Sequence, residues 1–171
     1  DRGYPLVHPL THPSLAGYEF PDPDATERWE GVAEASEGYP NQFRLAVIGD
    51  LWERAHFLRG LDDLLCDAVA EPAFVHELLE RICDYNLRTL ERVSSYSPDG
   101  VFISDDYGFQ DRLMLRPETW RELVLPHLRR LLQAARDLCL VTMLHSCGHV
   151  TEIIPDLIEA GLDILHPLQP E

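Results

Sequence analysis

The stretch Leu140-Val141-Thr142-Met143-Leu144-His145-Ser146-Cys147-Gly148 decides how the rest of the chain is read. A strand that is apolar on both faces ends abruptly there in a His-x-Cys pair and a glycine. Side chains two apart on a strand point the same way, so Val141, Met143, His145 and Cys147 share a face. The Cα atoms of His145 and Cys147 then lie roughly 6.5 Å apart, within reach of one metal held at about 2.0–2.3 Å. A thiolate beside an imidazole is a zinc-favouring pair. The spacing alone also fits a satisfied histidine next to a small buried hydrophobe. The neighbours of the strand must decide.

The same pattern recurs along the chain. Leu45-Ala46-Val47-Ile48 is a short, fully apolar strand ended by Gly49-Asp50. Val101-Phe102-Ile103-Ser104 is a second buried strand, broken by Asp105-Asp106-Tyr107-Gly108. Ile164 to His166 forms a last short one before Pro167-Leu168-Gln169-Pro170-Glu171. Helical patterns lie between them. One runs around Trp52 to Leu58 with Gly60 as its stop. The longest opens at Glu71-Pro72 and continues to about Tyr96, with Phe74, Leu78, Ile82, Tyr85 and Leu90 near one face. Another starts at Arg116-Pro117-Glu118, where Pro126 should kink it or split its first turns. A fourth spans about Thr151 to Ala160 and is closed by Gly161. Ahead of all this, residues 1 to about 23 are rich in proline and histidine and read as loop. Asp24-Ala25-Thr26-Glu27 carries the acidic cap of a helix expected to run to about Ser36.

Strands alternating with helices, each strand ending in polar residues, describe an α/β protein with a parallel sheet. Four such units fill the 171 residues, whereas a closed eight-fold barrel takes about 250. Length therefore leaves an open doubly wound sheet and part of a barrel side by side.

Composition narrows the function. The net charge is −16, and all 14 basic residues are arginine. A nucleic-acid or anionic-membrane surface needs a dense basic patch, so neither partner is expected. The absence of lysine excludes Schiff-base chemistry from this segment. Four cysteines, Cys66, Cys83, Cys139 and Cys147, are too irregularly spaced for a disulfide scaffold or a self-contained zinc finger. They suit a reducing, cytoplasmic setting, with Cys66, Cys83 and Cys139 expected as buried small residues.

The polar groups at the strand ends are Asp50, the pair Asp105 and Asp106, the pair His145 and Cys147, and His166. The carboxyl ends of parallel strands are where α/β enzymes keep their sites. Adjacent side chains alternate, so one of Asp105 and Asp106 should face the cavity while the other caps a loop or pairs with an arginine. Elsewhere, His76-Glu77-Leu78-Leu79-Glu80 lacks the second histidine of a zinc-protease helix and reads as a solvated face. No glycine-rich phosphate loop, G-x-S-x-G elbow or EF-hand loop is present.

At these strand ends the chain resembles the uroporphyrinogen decarboxylase superfamily. The likeness rests on Gly49-Asp50-Leu51-Trp52 followed by Phe57, on Asp105-Asp106-Tyr107-Gly108-Phe109-Gln110, on Arg116-Pro117-Glu118-Thr119-Trp120 and on His145-Ser146-Cys147-Gly148. Ile153 to Asp163 and Pro167-Leu168-Gln169 extend it over roughly residues 45 to 171. The resemblance implies a (β/α)8 TIM barrel of about twice this length, of which residues 1–171 would be one incomplete domain. Residues 1–44 would form an N-terminal loop and helix, and 45–171 four βα units, strands three to six. It also implies catalytic roles for Asp105 and Asp106, substrate contacts from Asp50, Trp52, Phe57, Gln110 and His166, and metal ligation by His145 and Cys147.

Two branches of the superfamily compete. Decarboxylases act on a tetrapyrrole in porphyrin biosynthesis, as lyases without a cofactor. They carry a tyrosine where this chain has Phe57, and they lack the His-x-Cys pair. Methyltransferases of the other branch move a methyl group between a corrinoid, in some cases on a corrinoid protein, and a small thiol. They hold zinc with His-x-Cys and a distant cysteine, which here would fall beyond Glu171. The methyltransferase branch is the expectation, with the decarboxylase and a non-catalytic barrel or corrinoid-binding module as alternatives.

Overall fold

A computed structural model describes residues 7–169. Tyr4 and Pro5 of the N-terminal loop, and Pro170 and Glu171 of the tail, lie outside the described residues. Four strands, β1 (Leu45–Gly49), β2 (Gly100–Ser104), β3 (Val141–His145) and β4 (Ile164–His166), form one parallel sheet in the order β1-β2-β3-β4. Chain order equals spatial order, so every carboxyl end lies on one rim. The helices are α1 (Val32–Glu37), α2 (Trp52–Arg59), α3 (Leu61–Ala70), α4 (Pro72–Ser94), α5 (Pro117–Leu123), α6 (Leu125–Asp137) and α7 (Ile154–Glu159).

The expected split at Pro126 is present: α5 stops at Leu123, and α6 restarts with the proline in its first turn, where no amide donor is needed. Two expectations need correction. The helix expected from Asp24 to Ser36 is a single 3-10 turn, Thr26–Arg28, followed by the short α1. Gly31, at φ 76°, breaks the run, and the Asp24 carboxylate accepts from Arg88 at 2.7 Å instead of capping. The second is α3, which the sequence pattern passed over. Gly60, at φ 89°, stops α2 and turns directly into it.

The sheet is buried on one face only, contrary to the expectation of strands covered on both sides. Ile48, Val101, Ile103, Thr142 and Leu144 point into the core under the helices. Register aligns Val47, Phe102, Met143 and Ile164 in a row across the other face, where Val47 is 68% and Ile164 40% exposed. An apolar row with no helix over it among the described residues is what the concave side of part of a barrel presents. Burial of the cysteines is also corrected: Cys83 is buried, but Cys66 and Cys139 are exposed.

Candidate metal centre

The register that sets Ser104 beside His145 and His145 beside His166 brings the ends of β2, β3 and β4 into one line. The backbone turns sharply just beyond. Asp105 and Asp106 follow Ser104 with opposite orientations, as strand alternation requires. Asp105 is fully buried. Its carboxylate accepts from the amides of Trp52 (3.1 Å) and Glu53 (2.7 Å) at the start of α2, and from the Tyr107 hydroxyl (2.7 Å). It therefore clamps the loop after β2 to the α2 N-terminus, whose free amides need an acceptor. Burial pushes its carboxyl up to about 7 despite those three donors.

Asp106 faces the opposite way and is half-buried. Its Oδ1 accepts from the Cys147 amide at 2.7 Å and lies 3.6 Å from His145 Nε2. That same Nε2 is 3.1 Å from Cys147 Sγ. One ligand atom from each of Asp106, His145 and Cys147 falls within 4.8 Å of the others, an oxygen, a nitrogen and a sulfur around one point. This set fits a divalent metal of zinc type, because imidazole and thiolate dominate it and carboxylate completes it. On its far side, His145 Nδ1 lies 3.0 Å from His166 Nδ1.

Glycines shape the loop that carries the thiol. Gly148 has φ +80°, and a Cβ there would stand 2.5 Å from the carbonyl oxygens of Gly108 and Phe109. Gly108 in turn would place a Cβ 2.6 Å from the His149 amide nitrogen. The loops after β2 and β3 thus touch backbone to backbone, which only glycine permits. Gln169 accepts from the Gly148 amide at 3.0 Å, and the Ser146 hydroxyl accepts from the Tyr107 amide at 3.0 Å.

The remaining sequence candidates occupy other positions. Asp50 is 7% exposed and takes both nitrogens of an Arg54 fork, at 2.9 and 3.0 Å. Burial raises its carboxyl. Trp52, 1% exposed, is packed in the core beneath the rim. Phe57 lies half-buried on α2, edge-on to His56 with ring centroids 4.5 Å apart and with the Arg54 guanidinium 5.6 Å from its centroid. Gln110 is exposed on the loop after β2. The structure adds Glu53, which sequence reasoning missed. Its carboxyl is pushed up to about 7, first by burial and then by Asp106 and Asp50. Burial, with Asp106 and Glu53, also raises the Cys147 thiol. Among the described residues this corner gathers negative charge that a cation would offset. The only sequence cue to Glu53 was its place one residue after the Gly-Asp-Leu-Trp strand end.

The sequence profile of the uroporphyrinogen decarboxylase (URO-D) family matches residues 8–167. The chain belongs to that family. A methylated-thiol–coenzyme M methyltransferase of Methanosarcina mazei is 24% identical over 109 residues, which are 64% of this chain and 28% of that protein. The solved structure of a methyltransferase from Methanosarcina mazei superposes with a TM-score of 0.74 at 20% identity, over 92% of this chain and 47% of that one. The likeness is one of fold: the four parallel strands, and the helices that follow the first three of them among the described residues, match the architecture of that structure, so the expected fourth βα unit is represented here by its strand alone. The chain spans less than half the length of either relative.

Proposed function

We propose that this URO-D family chain carries part of the active site of a zinc-dependent methyltransferase, which moves a methyl group between a corrinoid and a small thiol. The observation behind this is the convergence of Asp106, His145 and Cys147 on one point. The family's methyltransferase relatives support it. His145 Nε2 and Cys147 Sγ would hold the metal, and the Asp106 carboxylate offers a third donor within this chain. A bound zinc with an open position favours the thiolate form of a thiol placed there, and the thiolate is the nucleophile that takes a methyl group.

The chain's own residues orient this centre. Asp106 holds the Cys147 amide and so directs the sulfur toward His145. Asp105, tied to α2 and Tyr107, fixes the strand end from which Asp106 projects. The Gly108–Gly148 contact sets the depth of the thiol loop. The acidic character of the corner argues against a polycarboxylate tetrapyrrole. Asp106 would repel it, Glu53 adds to that repulsion where it is ionised, and Arg54 is already engaged by Asp50. A reducing, cytoplasmic compartment suits a free Cys147 thiol. A corrinoid protein as methyl donor belongs to the same reading.

The test is demethylation of methylcobalamin in the presence of a small thiol, together with metal analysis. In the full-length protein that contains this chain about one zinc per molecule is expected, with both zinc and turnover lost in Cys147→Ala. Decarboxylation of uroporphyrinogen that survives Cys147→Ala would instead assign the decarboxylase reaction. Equal zinc content in wild type and Cys147→Ala would overturn the metal assignment.

A further inference from the structure

We infer that His166 is a positioning residue: it accepts a hydrogen bond from His145 Nδ1–H and thereby leaves His145 Nε2 unprotonated, facing Cys147 and Asp106. The inference rests on the metal reading above and deepens it. A neutral imidazole carries one proton, and which nitrogen bears it is set by the partner of the other. Both nitrogens of His145 have a neighbour, Nδ1 at 3.0 Å from His166 Nδ1 and Nε2 at 3.1 Å from Cys147 Sγ. Only with the proton on Nδ1 does Nε2 present a lone pair to the point where the three ligand atoms meet.

The backbone enforces this contact. His145 and His166 are register partners at the ends of neighbouring parallel strands, and the Ser146 amide donates to the His166 carbonyl at 2.9 Å. The rings lie 5.1 Å apart, tilted by 41°, so the two Nδ1 atoms meet without stacking. Exposure favours the same assignment. His166 is exposed, so its own proton can sit on Nε2 in water while Nδ1 accepts. A proton on His145 Nε2 would instead point at the sulfur, with the Asp106 oxygen at 3.6 Å, beyond good hydrogen-bond length. A histidine ligand that donates its other N–H to a fixed acceptor binds metal more tightly, and loss of that acceptor typically costs about 10–100-fold in affinity.

The test uses metal-free protein first. Long-range ¹H–¹⁵N correlation spectra should show His145 as the Nδ1–H tautomer in wild type and a shift toward Nε2–H in His166→Ala. His166→Asn, whose Oδ1 stands close to the position of Nδ1, should restore the wild-type tautomer. Competition titration with Zn²⁺ should give a weakening of about 10–100-fold in His166→Ala and near-wild-type affinity in His166→Asn. A purely structural role would not produce rescue by asparagine. An Nε2–H tautomer in wild type, an unchanged tautomer in His166→Ala, or an unchanged Zn²⁺ affinity in that variant each overturns the inference. Failure of the parent reading looks different: wild type would keep its Nδ1–H tautomer yet bind no zinc.

Discussion

The His145–His166 pair at the rim of the sheet and the His76–His127 pair between α4 and α6 are built alike, with ring nitrogens 3.0 and 2.8 Å apart. Their second nitrogens meet opposite surroundings. His145 turns Nε2 toward a thiol and a carboxylate. His127 is 3% exposed, and its Nδ1 is buried with no partner among the described residues. A buried N–H without an acceptor is costly, so His127 is best served by a proton on Nε2, donated to His76. That leaves it no lone pair directed at an open ligand position. Pairing alone therefore does not make a histidine site. What matters is where the free nitrogen points and whether other donors converge there.

The largest expected effect separates the two pairs. His145→Ala should weaken Zn²⁺ binding by at least about 100-fold, as loss of one ligand from a three-donor site implies, while changing the urea midpoint little because the side chain lies on the open face. His127→Ala should do the reverse, removing about 2–3 kcal/mol of stability through a core cavity and a lost hydrogen bond, with Zn²⁺ affinity kept within about twofold. Competition titration and urea denaturation on the two variants read both quantities. Loss of zinc in His127→Ala would show that the pairs are not independent.

The loop beneath the thiol sharpens the contrast further. Gly148→Ala combines a positive φ with two backbone oxygens 2.5 Å from the new Cβ, so a loss of about 3 kcal/mol is expected. Gly31→Ala, at φ +76° with nothing within 4 Å, should cost only about 1 kcal/mol. Comparable losses in urea denaturation would mean that backbone conformation, not the contact between the β2 and β3 loops, governs Gly148.

Much of this was legible in the chain, for identifiable reasons. Apolar strands ended by polar residues gave the parallel order and the common rim, because both depend on local pattern. Strand alternation foretold that Asp105 and Asp106 would part company, but which one turns inward depends on the α2 amides, about 50 residues away in sequence. The pairing of His145 with Cys147 followed from a spacing of two. The contributions of Asp106 and His166 required register between strands, which no short window carries. His76 shows the same limit: on α4 alone it reads as part of a solvated face, and its partner comes from α6. The uncovered face of the sheet was hidden because Val47 and Ile48 are equally apolar, yet only Ile48 is under a helix.

The pH dependence of folding offers a third, smaller effect. Burial, followed by the charge of His76, lowers the His127 pKa from 6.5 to about 4. Arg130 lowers it further, while Glu80 and Asp84 act in the opposite sense. The unfolded chain then binds this proton before the folded one does, so the stability tied to neutral His127 is complete above pH 6.5 and is lost as pH falls toward 4. The loss is about 2–3 kcal/mol over that window. Asp105 and Glu53, both raised to about 7, act with the opposite sign across an overlapping range. The measurement is accordingly a difference between two urea-denaturation series, wild type and His127→Phe, from pH 7 to 4. Phenylalanine conserves the ring and removes the proton, so the variant should gain on wild type as the solution is acidified. A flat difference would remove His127 from the account.

The smallest effect tests how much of this comes from the pair itself. His76 is exposed, and its removal empties no core space. His76→Ala should therefore cost less than about 1 kcal/mol at pH 7, the net worth of one hydrogen bond. It also removes a like charge from beside His127 and lets water reach the edge of its ring, where it solvates the imidazolium. Both changes ease protonation, so the His127 pKa should rise. Burial is the larger cause of its depression and remains, so the rise should stop short of 6.5. An NMR titration of the His127 ring proton in this variant reads the result directly. A partial rise assigns the greater share to burial. A full return to 6.5 would mean that the contact with His76 holds His127 neutral, and the outer pair would then resemble the rim pair more closely than its buried ring suggests.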